Sequence, residues 1–510
     1  MQEQYLLEPL PDDKIDELTP EEMKIILRGE RDLNRQLNNY IQELHEKYLA
    51  SEQKSFLLEE HSILIKHRLF GKSSEKSEKT PSPEKKKKEP RKRVLLPSER
   101  YPNVEVIEKL VELDKLPQCA CCSKDMKDSG LTENSEYLTV IPRRFYVVRQ
   151  MRVIYRCSSC QEGLVTTPVI PRIKLGSSYS DEMVVDVALS KYCDLIPVER
   201  YVQMAARSGV TGLPANTLIQ GTHNLADFLA PVYKKIKDEV MSSKVLHADE
   251  TPHRMLEGDE KSNWYLWGFS TASASYFEAQ DTRSGSVASD IIKESLCEFL
   301  VSDVFSGYSK AVKDSNVYRL ENKLPKIINT YCNAHARRKF KDAEVSFKKE
   351  SKLFIWCYRK IYQLEKLKDF KDRREWQRIY FRVMERFGLS IRNGYSSKSS
   401  IVKGINYFIK NFNALTLFLK FEDVPIDNNS QERLMRSPVI GRKTWYGTHS
   451  KRGAETNAVL FSLVESCKLN KVNPRDYFKD IVHAIHEKRE IFTPNEYLKM
   501  KEKKMPNPAG

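Results

Sequence analysis

Apolar runs that stop abruptly at an acidic residue recur along this chain. Val245–Ala248 leads into Asp249 and Glu250, and Phe299–Ser302 leads into Asp303. Each run predicts a short buried strand with a carboxylate at its end. For one such pair alone, a solvated turn is the ordinary alternative, because short motifs arise often by chance. Because the same pattern recurs at Asp303, the two runs together favour a functional site over a solvated turn.

The hydrophobic pattern around these two runs predicts a defined order of elements. It indicates strands at 245–251, 264–270 and 274–279, a helix over 287–297, a strand ending at Asp303, a strand at 326–332 and a helix that starts near His335. Three strands, a helix, a strand, a helix and a strand are the order of the ribonuclease-H-like fold. In that order the strands that carry Asp249 and Asp303 are neighbours.

The rhythm then becomes helical and strongly charged over residues 344–420, which predicts an all-α insertion into this core. The core resumes where Asp427 or Asn428 is placed to cap a helix, with Glu432 about one turn inside it. Two strand-end aspartates and one helical glutamate match the ligand set of a two-metal phosphoryl-transfer site. Hard Mg²⁺ ions prefer such oxygen ligands.

Upstream of the core the pattern is helical. Residues 181–240 are compatible with a helix-turn-helix and equally with a plain helical bundle. Within 20–70, Leu33, Leu37, Tyr40 (or Ile41) and Leu44 keep the spacing of a coiled coil and hence of self-association. An amphipathic helix packed on its own chain is the alternative.

Two C-x-x-C pairs, Cys119 with Cys122 and Cys157 with Cys160, predict a tetrahedral zinc site of the zinc-ribbon type. Alternating positions over 137–155 predict a hairpin between the two pairs. Cys121 is a possible substitute ligand, but the spacing favours Cys119 with Cys122. The hairpin carries a basic face that suggests DNA contact or is an ordinary solvated surface: Arg143, Arg144, Arg149, Arg152 and Arg156.

The amino-acid composition restricts the kinds of molecule that this protein is expected to bind. The 510 residues carry 85 Lys and Arg against 70 Asp and Glu, a net charge of +15, which suits a polyanionic partner. A basic linker over 71–93 would add affinity for phosphates or serve only as a solvated tether. Ten unevenly spread cysteines favour a reducing compartment. The acidic start predicts no signal peptide, and no apolar run predicts a membrane span.

Basic residues also cluster after Glu432, where they would hold DNA phosphates. Trp445 lies among them and would either stack on a base or pack in the core. The cluster comprises Arg436, Arg442, Lys443, Lys451 and Arg452.

The chain resembles bacterial transposases of the insertion sequence 66 family over nearly its whole length. The resemblance is carried by 69–76, the paired C-x-x-C, His247–Thr251, Ser302–Asp303 with Gly307–Tyr308, Cys332–Phe340, Asp427–Asn429 with Glu432–Arg433, Gly441–Lys443 and Ser450–Glu455. His253 and Thr444 depart from the family, in which Trp and Asn are common at these positions.

The resemblance implies a DDE transposase with Asp249, Asp303 and Glu432 as its catalytic triad. It implies Mg²⁺ (or Mn²⁺) at these residues, structural Zn²⁺ at the cysteines, and DNA contacts that include Arg337 and Arg338. Cys332 and His335 resemble a C-x-x-H element, for which a structural hydrogen bond or a DNA contact is favoured over metal ligation. A cytoplasmic, nucleoid-associated homodimer or higher homo-oligomer is implied, with transposon ends and target DNA as partners and accessory proteins of the same element as further candidates.

We therefore expect a multidomain α/β protein that acts as a transposase. The alternatives are a ribonuclease-H-like DNA nuclease or resolvase and an inactive DNA-binding protein. The expected segments are a coiled-coil segment at 1–70, a basic linker at 71–98, a zinc-binding domain at 99–172, a helical DNA-binding region at 173–240, the core at 241–343, the helical insertion at 344–420, the second part of the core at 421–470, and a C-terminal helix with a basic tail at 471–510.

Overall fold

The computed structural model describes most of the chain from Leu96 onward. The described residues are 96–102, 104–108, 135–139, 143–156, 164–256, 263–367 and 369–504, with Gln118, Cys121, Lys124 and scattered helical positions between Arg31 and Ile65. The expected coiled-coil positions, the linker over 71–93 and the four expected zinc ligands lie outside these residues.

A five-stranded mixed sheet lies at the centre of the described region. Its strands are β3 (Val245–Arg254), β4 (Asn263–Ser270), β5 (Ser275–Gln280), β6 (Phe299–Ser302) and β7 (Ile328–Tyr331). Their order across the sheet is β5-β4-β3-β6-β7. The first three strands are antiparallel, whereas β6 and β7 run parallel to β3. All four residues of β6 are buried, as expected for a parallel strand covered on both faces.

Some helices of the described region pack against this sheet and others form a separate helical core. In chain order the helices are α1 (Pro97–Arg100), α2 (Asp181–Tyr192), α3 (Val198–Arg207), α4 (Ala215–Phe228), α5 (Ala230–Met241), α6 (Gly285–Ile292), α7 (Ser306–Glu321), α8 (Asn333–Glu344), α9 (Lys348–Leu364), α10 (Phe370–Ile391), α11 (Ser400–Lys410), α12 (Phe412–Leu415), α13 (Asn429–Trp445), α14 (Lys451–Leu469), α15 (Pro474–His486) and α16 (Pro494–Lys504).

The main hydrophobic core joins the sheet to α2, α5, α6 and α14 through residues such as Trp267, Phe277 and Phe461. A second core joins α8 to the helical segment that follows it, where the rings of Phe340 in α8 and Phe354 in α9 stack at 4.0 Å between centroids. The described residues of 344–420 contain helices and no strand, so the helical rhythm of the sequence predicts this segment correctly.

The strand pattern expected over 137–155 is largely wrong. Among the described residues of this stretch, strand begins only at Ile154: β1 (Ile154–Arg156) pairs antiparallel with β2 (Leu164–Thr166). Most of the alternating apolar side chains are exposed, Val147 to 96% and Met151 to 87%, whereas Phe145 is half-buried against the small core that contains Tyr201. Alternation mimics a half-buried strand, but most of these side chains are not packed on a core. In sequence, the second C-x-x-C pair falls between the two paired strands, so this hairpin does not link the two pairs.

The elements expected between Val245 and Glu344 occur in the expected order, with ends that differ by a few residues, but the sequence pattern assigns no range to the 16-residue helix α7. None of the helices in the described part of the chain combines the length and the apolar character that crossing a membrane would require.

Candidate active site

Asp249 and Asp303 come from neighbouring parallel strands. The register of β3 on β6 pairs His247 with Val301, and Asp249 and Asp303 each lie two residues farther along. The same offset therefore places both aspartates level at the carboxyl end of the strand pair. Asp303 is fixed there because its carboxylate accepts a hydrogen bond from the Phe305 backbone N–H at 3.1 Å.

Glu432 is brought to this edge by helix α13, which packs against β3 and β4. Gly268 of β4 pairs directly with Asp249. A Cβ at Gly268 would collide with the Gln431 side chain and would lie 2.9 Å from the sulfur of Met435. Glycine at this position therefore permits the close approach of the helix that sets Glu432 beside the sheet.

Asn428 fixes the start of α13 through three hydrogen bonds. Its side-chain amide donates to the Ala248 carbonyl at 2.8 Å, and its carbonyl oxygen accepts from Nδ1 of His247 at 2.8 Å. Its backbone N–H donates to the Cys332 sulfur at 3.2 Å. The carboxylate of Asp427 caps the helix by accepting the backbone N–H of Asn429 at 3.0 Å. Asn428 is the N-cap residue, as expected, but its own side chain makes no capping hydrogen bond, and it is 2% exposed.

Asp249 and Glu432 line one cavity of about 360 Å³, together with Glu250, Thr251, His335 and Arg436 among others. Burial, followed by the charges of Glu250 and Asp303, raises the pKa of Asp249 to about 7. Glu432 adds a smaller effect in the same direction. The three expected triad carboxylates are thus electrostatically coupled across this edge of the sheet.

The oxygens of the three triad carboxylates do not form one tight cluster. No choice of one oxygen from each carboxylate gives three atoms that all lie within 4.8 Å of one another. A two-ion site holds its cations about 4 Å apart, so its ligands need not touch one another. Carboxylate oxygens are the donors that Mg²⁺ prefers. Oε1 of Glu432 is shielded from solvent and has no hydrogen-bond partner. The donor set therefore fits divalent hard cations.

A fourth carboxylate, Glu250, is held beside Asp249 by a clamp that sequence reasoning missed. It accepts the Tyr308 hydroxyl at 2.5 Å and the Arg283 Nε and Nη2 at 2.8 and 2.6 Å. Burial raises the pKa of Glu250, and these hydrogen bonds oppose that rise. Glu250 and Tyr308 both lie in the motifs quoted for the family resemblance, but Arg283 carries no local sequence signal.

Cys332 and His335 lie next to the carboxylates. Cys332 follows β7 directly and is fully buried, and burial raises its pKa to about 12. Nδ1 of His335 lies 3.6 Å from Oε1 of Glu432, and Arg338 lies 3.8 Å from Oε2 of the same carboxylate. One donor atom each from Cys332, His335 and Glu432 lie within 4.8 Å of one another.

Of the expected DNA-contacting residues, Arg436 and Arg338 lie at the carboxylates, and the others lie in different surroundings. Arg436 lines the carboxylate cavity, Arg338 lies beside Glu432, and Lys443 is exposed on the same helix as Arg436. Arg442 donates to the carbonyl of Pro252, and Arg337 on α8 is half-buried. Arg452 pairs with Asp227 at 2.7 Å and lines a different cavity with that residue.

The end of α13 returns to β3. Tyr446 adopts a left-handed conformation at φ 63°, and Gly447 follows at φ 120° with the Arg254 carbonyl where a Cβ would lie. Thr448 then bonds to Nε2 of His253 at 2.9 Å. Trp445 packs against Tyr192 at 6.3 Å between ring centroids, in agreement with the core alternative for this residue.

Comparisons with known proteins extend these observations. The model of the family described as "Transposase IS66 family" matches residues 176–456. That of "zinc-finger binding domain of transposase IS66" matches 117–161, a range that includes all four expected zinc ligands.

Similar relatives include the uncharacterized proteins y4jD and y4hP of Sinorhizobium fredii. The first is 27% identical over 383 residues, 72% of this chain and 74% of the relative. The second is 24% identical over 401 residues, 72% of this chain and 70% of the relative. Because the transposase model covers more than half of the 510 residues, the chain belongs to the IS66 family of transposases.

Proposed function

We propose that this chain is a DDE-type transposase that cleaves DNA at transposon ends and joins the released 3′-hydroxyl to target DNA. The observation that carries the proposal is the coupling of Asp249 to Asp303 and Glu432 at one edge of the sheet, with Asp249 and Glu432 lining one cavity. The sheet order and the positions of these residues support a ribonuclease-H-like core.

The three carboxylates would hold two Mg²⁺ or Mn²⁺ ions. When bound, such ions activate the attacking oxygen and stabilise the leaving oxygen of an in-line displacement. The raised pKa of Asp249, caused first by burial and then by the neighbouring carboxylates, marks a carboxylate whose ionised form a bound cation would stabilise. Asn428 and Gly268 position the glutamate, and the clamp on Glu250 keeps a further negative charge beside the site.

DNA would be held by basic side chains around this cavity, with Arg338, Arg436 and Lys443 on phosphates. The contact that the Arg442 guanidinium makes with the Pro252 carbonyl favours a structural role for it, with DNA contact as a second one. Arg452, engaged by Asp227, would contact DNA only outside the carboxylate cavity.

The zinc-binding domain and the helices over 173–240 would bind the terminal inverted repeats, with Cys119, Cys122, Cys157 and Cys160 holding a structural Zn²⁺. Tetrahedral Cys₄ sites bind zinc in this way. The helical segment before residue 70 would pair protomers so that both transposon ends are handled together.

A DNA-joining assay tests this function. The full chain is incubated with Mg²⁺, labelled transposon-end DNA and target plasmid. We expect cleavage at the end, followed by label joined covalently to the plasmid. Cleavage without joining would instead identify a nuclease or resolvase, and binding without cleavage would identify an inactive DNA-binding protein.

A further inference from the structure

Three different donor types meet beside the carboxylate cavity, each from a different position in the fold. Cys332 follows the last residue of β7, His335 lies in the first turn of α8, and Glu432 lies in the first turn of α13. One ligand atom from each side chain lies within 4.8 Å of the other two. A sulfur, an imidazole nitrogen and a carboxylate oxygen at this separation can share one ion.

Two of these atoms lack a hydrogen bond although solvent does not reach them. They are Nδ1 of His335 and Oε1 of Glu432, which face each other at 3.6 Å. A buried polar atom without a partner costs about 1–3 kcal/mol, so such pairs are uncommon in folded proteins. A cation between the two atoms would satisfy both at once.

The third donor is held in place by the main chain. The backbone N–H of Asn428 donates to the sulfur at 3.2 Å, and the backbone N–H of Cys332 donates to the Ser302 carbonyl at 3.0 Å. Asn428 is tied in turn to Ala248 of β3. The sulfur therefore has a fixed position relative to Glu432 and is not a mobile surface thiol.

We propose that Cys332, His335 and Glu432 form a binding site for a thiophilic divalent cation of the zinc class. Thiolate, imidazole and carboxylate are ligands of four-coordinate zinc, and three protein ligands leave one position open. The adjacent cavity, which His335 and Glu432 both line, provides space for a water molecule at that position. Mg²⁺ disfavours sulfur and nitrogen donors, so the site discriminates against it.

The site shares Glu432 with the proposed catalytic triad. A consequence for activity follows, and it rests on the proposed function. A zinc-class ion bound here withdraws one carboxylate from the Mg²⁺ ions and opposes DNA cleavage. The binding itself does not depend on that function, since it follows from the three donor atoms alone.

Cobalt spectroscopy on the full chain as purified tests the site. Co²⁺ is added, and the near-ultraviolet thiolate-to-cobalt band and the visible bands of tetrahedral cobalt are recorded. The four cysteines of the proposed zinc-binding domain are present in all the proteins compared, so the difference spectrum between the parent and each site variant isolates the new site. We expect Cys332→Ser and His335→Ala each to lose about one equivalent of tetrahedral cobalt per chain relative to the parent. Serine keeps an acceptor for the Asn428 N–H, so the first variant retains that hydrogen bond.

The matched control is Cys193→Ser, which removes a half-buried thiol outside this donor set and should keep the whole spectrum. The proposal is overturned if the parent and both site variants give the same spectrum while all are folded by circular dichroism. A parent that binds cobalt in this way but, in a separate reaction with Mg²⁺ alone, cleaves no transposon-end DNA would keep the site and contradict the proposed function.

Discussion

The side-chain amide of Asn428 donates a hydrogen bond to the main-chain carbonyl of Ala248 at 2.8 Å, one residue before Asp249. This contact joins the helix that carries Glu432 to the strand that carries Asp249. The relative position of the Asp249 and Glu432 carboxylates therefore depends on the side chain of Asn428, which is not one of the proposed metal ligands.

Replacing Asn428 with Ala should destabilise the protein by about 2 kcal/mol, because it leaves the buried Ala248 carbonyl without its side-chain donor and removes the shorter of two contacts at Nδ1 of His247. It should also weaken Mn²⁺ binding measured by electron paramagnetic resonance. Asn429→Ala, which removes a side-chain contact to the nearby Asp427, is the control for metal binding. Unchanged Mn²⁺ affinity in folded Asn428→Ala would contradict the positioning role.

Gly268→Ala should push α13 away from the sheet. Its Cβ would meet Gln431, Met435 and Phe277, and overpacking of this kind costs about 2 kcal/mol. The free energy of unfolding in urea measures the loss. Gly221→Ala is the matched control, since its Cβ would lie 3.5 Å from Val184 in an ordinary contact. We expect that control to be neutral or more stable by about 0.5 kcal/mol, as for alanine in a helix. Equal effects of the two substitutions would refute the close approach.

Tyr308→Phe should destabilise the protein by about 2 kcal/mol, because it removes a charge-assisted hydrogen bond to the buried Glu250 carboxylate. Urea denaturation at neutral pH measures this change. The control is Tyr318→Phe, whose exposed hydroxyl donates to Glu294 at 3.1 Å in contact with solvent and should leave stability nearly unchanged. If both variants are equally stable, the clamp on Glu250 contributes nothing.

His253 should make stability fall on acidification. Burial, with the charges of Arg442 and Lys191, lowers its pKa to about 4 from an ordinary value of about 6.5. The unfolded chain therefore binds the proton first, so stability is complete above about pH 6.5 and declines toward the folded pKa. Between about pH 7 and pH 5 the loss should be about 2 kcal/mol.

Urea denaturation across that pH range, compared with His253→Gln, measures the contribution of His253. Glutamine can keep a hydrogen bond to Thr448 but does not titrate, so the pH slope of the variant should be shallower by that amount. Parallel slopes for the two proteins would show that the imidazole is not held neutral.

The sequence predicts most of the sheet because each of its strands has a clear apolar run. Asp249 and Asp303 could be paired from sequence, since parallel neighbours bring their ends to one edge. The placement of Glu432 depends on contacts such as Gly268 with Gln431, which join positions far apart in the chain and leave no local pattern.

Other features could not be predicted from the sequence for similar reasons. The alternation over 137–155 resembles a strand, but apolar side chains such as Val147 and Met151 are exposed and have no core beneath them. Arg283 reaches Glu250 only through the tertiary fold. The proximity of His335 to Glu432 likewise arises where two helix starts meet.

The central claim is that Asp249, Asp303 and Glu432 together catalyse DNA strand transfer. The most direct measurement compares Asp303→Asn with the parent chain for binding of transposon-end DNA and for Mg²⁺-dependent strand transfer. The account predicts unchanged DNA binding and no strand transfer above background in Asp303→Asn. Strand transfer by that variant at the parental rate would contradict it.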